Sequence, residues 1–169
     1  MPELPDIELY LHALRPRVVG RTLQNVRLAS PFLLRSVDPP VGEVVGKQVV
    51  GVRRLGKRVV LDLEDELFIV IHLMIAGRLR WKPPKEKIPG RLGLAAFDFE
   101  EGSLILTEAS KKKRASLHLV RADEVNEFDR GGVEVLDTTP QAFMDAMRAE
   151  NHTLKRALTD PRILSGIGN

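Results

Sequence analysis

The 169-residue sequence contains no cysteine, and this absence excludes several kinds of chemistry. Without cysteine there is no disulfide framework, no thiolate nucleophile and no cysteine zinc site within these residues. A reducing, intracellular setting fits such a composition. Among the 4 histidines, none lies at metal-ligand spacing from His72, so we predict no metal site and interpret His72 as a core histidine.

Long apolar runs are also missing. The longest lies near residues 67–71 and is far too short to cross a membrane, and the first residues lack the basic start and apolar stretch of a signal peptide. We therefore expect a cytoplasmic protein without a membrane partner. With 43% hydrophobic and 29% charged residues, the composition is that of an ordered globular chain, long enough for one domain or one domain plus a fragment.

Charge is unevenly distributed although the net charge is only +3. Basic residues cluster at 47–58, 78–91 and 111–114, whereas acidic residues gather at 62–66, 98–101 and 123–129. Such segregation suggests one basic face for a polyanion, which in a cytosolic protein usually means nucleic acid. The alternative interpretation is that the basic clusters are solvated loop ends, and composition alone does not separate the two.

The secondary-structure pattern begins and ends with helices and is β-rich between them. Pro5 suits a first helical turn, and the apolar spacing that follows predicts a helix over residues 5–15, ended by Pro16. Short β-branched segments separated by turn residues are typical of sandwiches and barrels, and a short helix is expected over 41–45. The predicted strands cover residues 22–29, 48–54, 57–63, 67–73, 92–99, 103–107 and 115–120.

The last part of the chain returns to a helical pattern after Gly131-Gly132. Thr138 or Thr139 is a suitable cap for a helix over 140–148, and a second helix is expected from 152 or 153 to about 158. The chain then reaches Gly166-Ile167-Gly168-Asn169, a turn that normally leads into further structure. We therefore expect a longer natural protein, of which this chain is a part.

Two features near the N-terminus could carry chemistry. If Met1 is removed, Pro2 presents a secondary amine, and an α-amine titrates near 7.7 to 8.0, so a sizeable fraction could attack carbon at neutral pH. Glu3 could move protons for that step. The alternative is that these residues only stiffen a terminus and cap a helix. Lys57, at the predicted tip of a hairpin, could reach a phosphate or could be an ordinary solvated lysine.

Taken in order, five motifs resemble those of the formamidopyrimidine-DNA glycosylase and endonuclease VIII family of base-excision repair enzymes. They are MPELPDIE at the start, Leu55-Gly56-Lys57, the segment 72–77, the segment 107–114, and Gly166 to Asn169. The resemblance implies an α+β fold that is mainly β: a two-layered β-sandwich catalytic domain over residues 1–133, then the start of a helix-two-turn-helix DNA-binding domain over 134–169.

The resemblance also implies an activity, namely removal of damaged bases by a bifunctional DNA glycosylase and AP lyase. Pro2 would attack C1′, Glu3 would be the acid/base, and Lys57 would contact phosphate and sugar. The expected partner is damaged or abasic double-stranded DNA, bound by a monomer in a bacterial cytoplasm, at the nucleoid. Contacts to DNA are expected from Asp6, Arg78, Lys112, Lys113, Arg114 and Asn169, and the void left by the flipped base would be filled by Met74, Ile75 or Arg114.

Some positions depart from the family pattern. Asp6 replaces a glutamate, Met74 stands in place of a glycine, Ile75 in place of a methionine, and Arg114 in place of a phenylalanine wedge. No cofactor is expected within the chain, and a zinc finger, if any, would lie beyond Asn169. Alone, the 169 residues should bind DNA weakly and turn over little. The alternative function is a catalytically silent DNA-binding relative.

Overall fold

Two four-stranded antiparallel sheets form the body of the computed structural model, which describes residues 2–168. The first sheet has the strand order β1-β6-β7-β5 and the second has the order β2-β3-β4-β8. The strands and the helices between them are β1 (Asn25–Leu28), α2 (Val41–Val44), β2 (Val49–Leu55), β3 (Arg58–Leu63), β4 (Leu67–His72), β5 (Gly77–Lys82), β6 (Gly93–Asp98), β7 (Ser103–Glu108), β8 (Ser116–Arg121) and α3 (Ala122–Val125). The predicted mainly-β sandwich with flanking helices is confirmed.

Helix α1 (Leu4–Val18) packs against this sandwich and is longer than predicted. Its buried face consists of Ile7, Leu11, Leu14 and Val18, the helical spacing seen in the sequence. The prediction that Pro16 ends the helix is wrong. Pro16 removes one backbone donor, but it lies in the last turn, where Arg17 donates to the Ala13 carbonyl and Val18 remains buried, so side-chain packing outweighs the lost bond.

The main core lies between the two sheets. Every predicted strand is present within a few residues, but β5 was not predicted. Its sequence alternates charged and apolar residues, with Leu79 facing the core and Arg78 and Arg80 exposed, which is the pattern of a half-buried strand. That alternation was the signal that could have identified it.

Strand register places three connections at one end of the sandwich. Arg58 pairs with His72, and His72 pairs with Ser116, so the β2–β3 turn, the turn after β4 and the loop before β8 all emerge there. Gly77 pairs with Glu108, which places the start of β5 and the end of β7 near the same end. Residues far apart in the sequence therefore share one surface.

The C-terminal segment has its own small core. It contains β9 (Val133–Glu134), α4 (Pro140–Arg148), α5 (Leu154–Thr159) and β10 (Leu164–Ser165), with β9 and β10 paired in parallel. Thr139 caps α4 and Thr153 caps α5 through their hydroxyl groups, as their sequence positions predict. Over residues 2–168, no helix is both long and apolar enough to cross a membrane.

Candidate active site

The start of α1, the β2–β3 turn and the segment after β10 meet at one point. The Glu3 carboxylate pairs with the Lys57 ammonium group, with 3.4 Å between Oε2 and Nζ. A single carbon added to Gly168 would overlap both Glu3 carboxylate oxygens and Lys57 Nζ. A larger residue would therefore have to push the ends of these two side chains away from their observed positions. Three of the motifs recognised in the sequence are brought together here.

Lys57 lies at the tip of a two-residue hairpin turn, as the sequence predicts. Leu55 pairs with Arg58, so Gly56 and Lys57 alone connect β2 and β3. Gly56 has a φ of 59°, a left-handed conformation that glycine adopts without steric cost. The turn directs Lys57 toward Glu3 and the chain after β10.

Asp6 organises the backbone at the beginning of α1. Its carboxylate accepts a hydrogen bond of 2.8 Å from the Glu3 N–H group, and the Glu3 carbonyl accepts one of 3.0 Å from Ile7. Pro2, immediately before, is buried. The contact that Asp6 makes here is therefore a helix cap, which orients the peptide between Pro2 and Glu3. The shorter aspartate side chain is long enough for it.

A buried arginine ties the C-terminal segment to the sandwich beside this point. The Arg54 side chain is only 7% exposed and donates to Glu8 of α1 at 2.7 Å and to the Gly56 carbonyl at 3.0 Å. It also pairs with Glu134 of β9 at 2.5 Å. Burial opposes its charge, but the bonds to Glu8 and Glu134 outweigh burial and raise the pKa of Arg54 above its ordinary value.

The same network reaches the strand that precedes Gly166. Ser165 donates a hydrogen bond of 2.5 Å to Glu134, and a carbon added to Gly166 would lie 2.7 Å from Leu4 and 3.3 Å from Arg54. Gly166 has a φ of 91°, which favours glycine. The turn after β10 is thus held against both α1 and β2. Sequence reasoning missed Arg54 because nothing in its basic cluster distinguishes a buried cation from a solvated one.

A cavity of about 230 Å³ opens beside Lys57 and is lined by Arg58, His72, Arg130 and Ile167, among others. His72 is half-buried here, so it faces this cavity as well as the protein body. Burial, reinforced by the charges of Arg58 and Lys57, lowers the pKa of His72 to about 4. At neutral pH the imidazole is uncharged and the positive field of the cavity comes from its lysine and arginine side chains.

The turn after β4 carries the predicted void-filling residues. Met74 is half-buried and has a φ of 53°, the left-handed region that is unfavourable for a side chain of this size. Ile75 is 50% exposed at the tip. The sequence pattern places Met74 where the related family has glycine, and its φ explains why a glycine suits the position.

The basic loop between β7 and β8 is organised by a buried carboxylate. Glu108 is fully buried and accepts backbone hydrogen bonds from Arg114 at 2.9 Å and from Ala115 at 3.1 Å. Lys113 donates to the Glu108 carbonyl, whereas Lys112 and Arg114 are exposed. Sequence reasoning missed Glu108 as an organising residue. An acidic residue at the end of a strand, just before a basic loop, was the available signal.

The predicted residues thus fall into three groups. Glu3, Lys57 and Gly168 are in mutual contact, and Pro2 and Asp6 adjoin Glu3 along the chain. The residues of the neighbouring connections, Met74, Ile75, Arg78 and 112–114, lie toward the same end of the sandwich without contacting the ion pair in the described part of the chain. The predicted contact of Asn169 and the removal of Met1 fall outside the described residues.

No metal site is formed by the residues described, since no three histidine, aspartate or glutamate side chains converge between residues 2 and 168. The groups that are close together are instead a carboxylate and an ammonium group, with the buried Pro2 next to Glu3 along the chain. This set can exchange protons and bind an anion.

Comparison with known proteins identifies the family. The model of the formamidopyrimidine-DNA glycosylase N-terminal domain matches residues 1–126, and the chain belongs to this family. Among curated relatives, the formamidopyrimidine-DNA glycosylase of Carboxydothermus hydrogenoformans is 30% identical over 176 residues, and that of Chloroflexus aurantiacus is 29% identical over 174. Both are bacterial proteins. The alignments cover 100% of this chain but 62% of each relative, so the chain spans less than two thirds of their length.

Solved structures show the same fold. A complex between the Lactococcus lactis Fpg and an abasic site containing DNA has a TM-score of 0.85 and 22% identity, covering 99% of this chain and 63% of that chain. A complex of the Lactococcus lactis G226P mutant with DNA containing Fapy-dG has the same TM-score and 23% identity. The architecture is therefore that of the N-terminal part of these proteins.

Proposed function

We propose that the protein containing this chain is a bifunctional DNA glycosylase and AP lyase. The observation that carries the proposal is the contact between Glu3, Lys57 and Gly168, next to Pro2. Family membership and the DNA-bound structures of relatives support the same activity. Residues 1–133 would form the catalytic domain, and residues 134–169 would begin the helix-two-turn-helix domain.

In the proposed reaction the Pro2 nitrogen, freed by removal of Met1, attacks C1′ of the damaged nucleotide. The C1′–base bond breaks, and the base leaves with the bonding electrons and the proton lost from the Pro2 nitrogen. The C1′–O4′ bond then opens, O4′ takes up a proton, and the nitrogen lone pair forms the iminium ion with C1′. Loss of a 2′ proton then expels the 3′ phosphate and cleaves the strand. Glu3 would move these protons, and Lys57 would contact the phosphate and sugar. Asp6 would hold the Glu3 backbone in place through the cap bond.

The basic surface at this end of the sandwich would hold the duplex. Lys57, Arg58 and the exposed side chains of Arg78, Lys112 and Arg114 supply positive charge, with Lys113 beside them. Met74, Ile75 or Arg114 would fill the void left by the flipped base. We propose that the protein acts as a monomer on damaged or abasic double-stranded DNA at the bacterial nucleoid, and that the chain alone has weak affinity and little turnover.

Borohydride trapping on an abasic-site duplex tests the proposal with the full-length protein. Hydride reduces the iminium ion to a stable amine, so the expected result is a covalent protein–DNA adduct that peptide mapping assigns to Pro2. Intact mass should show that Met1 is absent. Glu3→Gln should leave DNA binding within threefold of the unmodified protein and slow strand cleavage at least a hundredfold. The Lys57→Met variant is the control for attachment at the lysine: it should still form the adduct, because the adduct is expected at Pro2.

The silent DNA-binding relative is the second candidate, and the left-handed Met74 together with Arg114 in the wedge position favours it. Both departures fall in the probing loops and leave the Glu3–Lys57 pair intact. The two functions differ in one result. Tight binding of the duplex without any trapped adduct, in protein shown to lack Met1, would establish the binder and refute the enzyme.

A further inference from the structure

A second cavity lies on the outer face of the β1-β6-β7-β5 sheet, away from the Glu3–Lys57 pair. We call it the outer pocket. Its volume is about 270 Å³. The rim carries three cations, Arg80, Lys82 and Lys87, and the apolar part of the lining is Pro89, Leu92 and Ile105.

The strand alternation of β5 builds one wall of the outer pocket. Arg80 lies opposite Ile105 of β7, and Lys82 lies opposite Ser103, so these residues share the outer face. Leu79 and Trp81 point to the other face and pack in the core. The loop over residues 83–92 crosses the sheet and forms the facing wall with Lys87 and Pro89. Its prolines fix the backbone φ angle at their own positions.

The charges of the outer pocket are not balanced within the protein. Between residues 2 and 168, neither Arg80 nor Lys82 nor Lys87 takes part in an ion pair, and Glu86 is the single carboxylate in the lining. Three cations around one concavity repel one another and concentrate positive potential in it. An anionic group bound there would relieve that repulsion.

The apolar lining indicates what else the occupant carries. Leu92 is 44% exposed at the pocket and Pro89 is exposed beside it, whereas Ile105 is only 2% exposed, so an apolar group of the occupant would be buried mainly against Leu92 and Pro89. The volume falls just below the range of about 300–1,000 Å³ that is typical of small-molecule sites. A single bulky side chain fits this space better than a cofactor does.

We propose that the outer pocket binds a short acidic peptide segment of a partner protein, with one apolar side chain in the cavity and carboxylates on Arg80, Lys82 and Lys87. This recognition combines a cationic rim with an apolar anchor. The outer pocket is separate from the residues of the proposed DNA chemistry. Evidence against the enzymatic activity would therefore not exclude peptide binding, and evidence against peptide binding would not exclude the activity.

Nucleic acid fits the outer pocket less well. Strands rise about 3.3 Å per residue, so Arg80 and Lys82 recede roughly 10 and 16 Å along the face from the end where β5 begins. A duplex seated on the end of the sandwich reaches Arg78 before it reaches these residues. A phosphodiester backbone also has no apolar group to place against Leu92 and Pro89.

Fluorescence anisotropy with labelled peptides tests the proposal on the full-length protein. The probes are a hexapeptide of four aspartates followed by isoleucine and phenylalanine, the same peptide with both apolar residues changed to serine, and an undamaged duplex of 20 base pairs. The protein variants are the double charge reversal Arg80→Glu with Lys87→Glu, the single change Leu92→Ser, and Arg148→Glu as a control at an exposed position of α4.

We expect the acidic apolar peptide to bind at micromolar concentration and the serine peptide at least tenfold more weakly. The double reversal and Leu92→Ser should each weaken peptide binding at least tenfold, whereas Arg148→Glu should change it less than twofold. Duplex binding should change less than threefold in the double reversal. Equal binding of both peptides, or a loss of duplex binding as large as the loss of peptide binding, would identify a general polyanion surface and overturn the proposal.

Discussion

At the scale of single residues, Gly168 determines whether the Glu3–Lys57 pair can form. The backbone of Gly168 lies against both charged groups, and any side chain would occupy the space of their terminal atoms. Both groups are the ends of flexible side chains, so they can move aside for a larger residue, but only by giving up their present positions. Glycine therefore leaves room for the pair in its observed geometry.

We predict that Gly168→Ala separates the pair and lowers the rate of adduct trapping at least tenfold in the full-length protein, with little change in thermal stability. The matched control is Gly42→Ala, because a carbon added to Gly42 meets nothing within 4 Å. Trapping rates and melting curves of both variants check this. Equal rates in the two variants would show that the close approach of Gly168 is irrelevant to the reaction.

Met74 is a residue in a costly backbone conformation. At φ of 53° a side chain costs roughly 1–2 kcal/mol. We predict that Met74→Gly is more stable than Met74→Ala by about 1 kcal/mol, the reverse of the order at ordinary positions. Both variants lose the same thioether contacts, so their difference isolates the backbone. Urea unfolding measures it, and an alanine variant as stable as the glycine variant would contradict the expectation.

His72 makes the folded state sensitive to acid. Its pKa in the folded state is about 4, below the value of 6.5 for an unperturbed histidine, because burial and the nearby cations Arg58 and Lys57 disfavour the imidazolium. Its contribution to stability is therefore fully present above pH 6.5 and is lost as the pH falls through 4. His118, whose pKa burial also lowers, acts in the same direction.

The corresponding prediction concerns His72→Gln. The free energy of unfolding should fall less between pH 6.5 and pH 4 in this variant than in the unmodified chain, with the remaining slope due partly to His118. The control is His12→Gln, at an exposed position of α1. Urea unfolding at several pH values between these limits is the measurement. A slope unchanged by His72→Gln would mean that His72 is not the acid-sensitive group.

At the scale of elements, Arg54 joins α1, β2 and β9. Removing the buried Arg54 cation breaks its charged hydrogen bonds to Glu8 and Glu134, whose side chains are more than a third exposed to solvent, at a cost of about 1.5–3 kcal/mol. We predict that loss for Arg54→Met. Its neighbour Arg53 pairs with Asp62 at a more exposed position, where such pairs contribute about 0–1 kcal/mol. Arg53→Met is therefore the control, and similar unfolding midpoints for the two variants would contradict the role of Arg54.

The elements themselves could largely be predicted from the sequence. Alternation and turn residues located seven strands of the sandwich, and threonine caps located α4 and α5. Two local rules misled. Pro16 was expected to end α1, but the packing of Val18 continues the helix. Strand β5 was overlooked although it begins at the end of the motif at residues 72–77. Tertiary packing decided the first case, whereas in the second the alternation of charged and apolar residues was present in the sequence itself.

The site could be predicted only in part. The N-terminal motif, the Gly56-Lys57 turn and the glycines after β10 each suggested a role, but their contact depends on long-range docking that no local pattern encodes. The ion-pair network of Arg54 and the backbone bonds of Glu108 follow from burial, which is a property of the folded molecule. Sequence patterns thus identified the residues that meet at the candidate site and missed the groups that hold them in place.

At the scale of the whole molecule, the salt dependence of DNA affinity is the most direct test of the basic surface that we propose holds the duplex. Each phosphate contact that a cation makes contributes about 0.9 to the slope of log K against log salt concentration. We predict that the full-length protein with Lys112→Ser and Arg114→Ser has a slope smaller in magnitude by about 2, with weaker binding at all sequences. Arg17→Ser, at an exposed position in the last turn of α1 and away from Glu3, is the control, and an unchanged slope in the double variant would place the DNA elsewhere.

The meeting of Glu3 with Gly168 also has a consequence for the order of folding. The two residues lie near opposite ends of this 169-residue chain, so their contact has nearly the largest loop-closure cost available to it. The strands between them can pair earlier, through nearer neighbours. During synthesis Glu3 and Lys57 can therefore pair before the turn after β10 has been made, and the glycines of that turn close over the pair only after the rest of the sandwich has assembled.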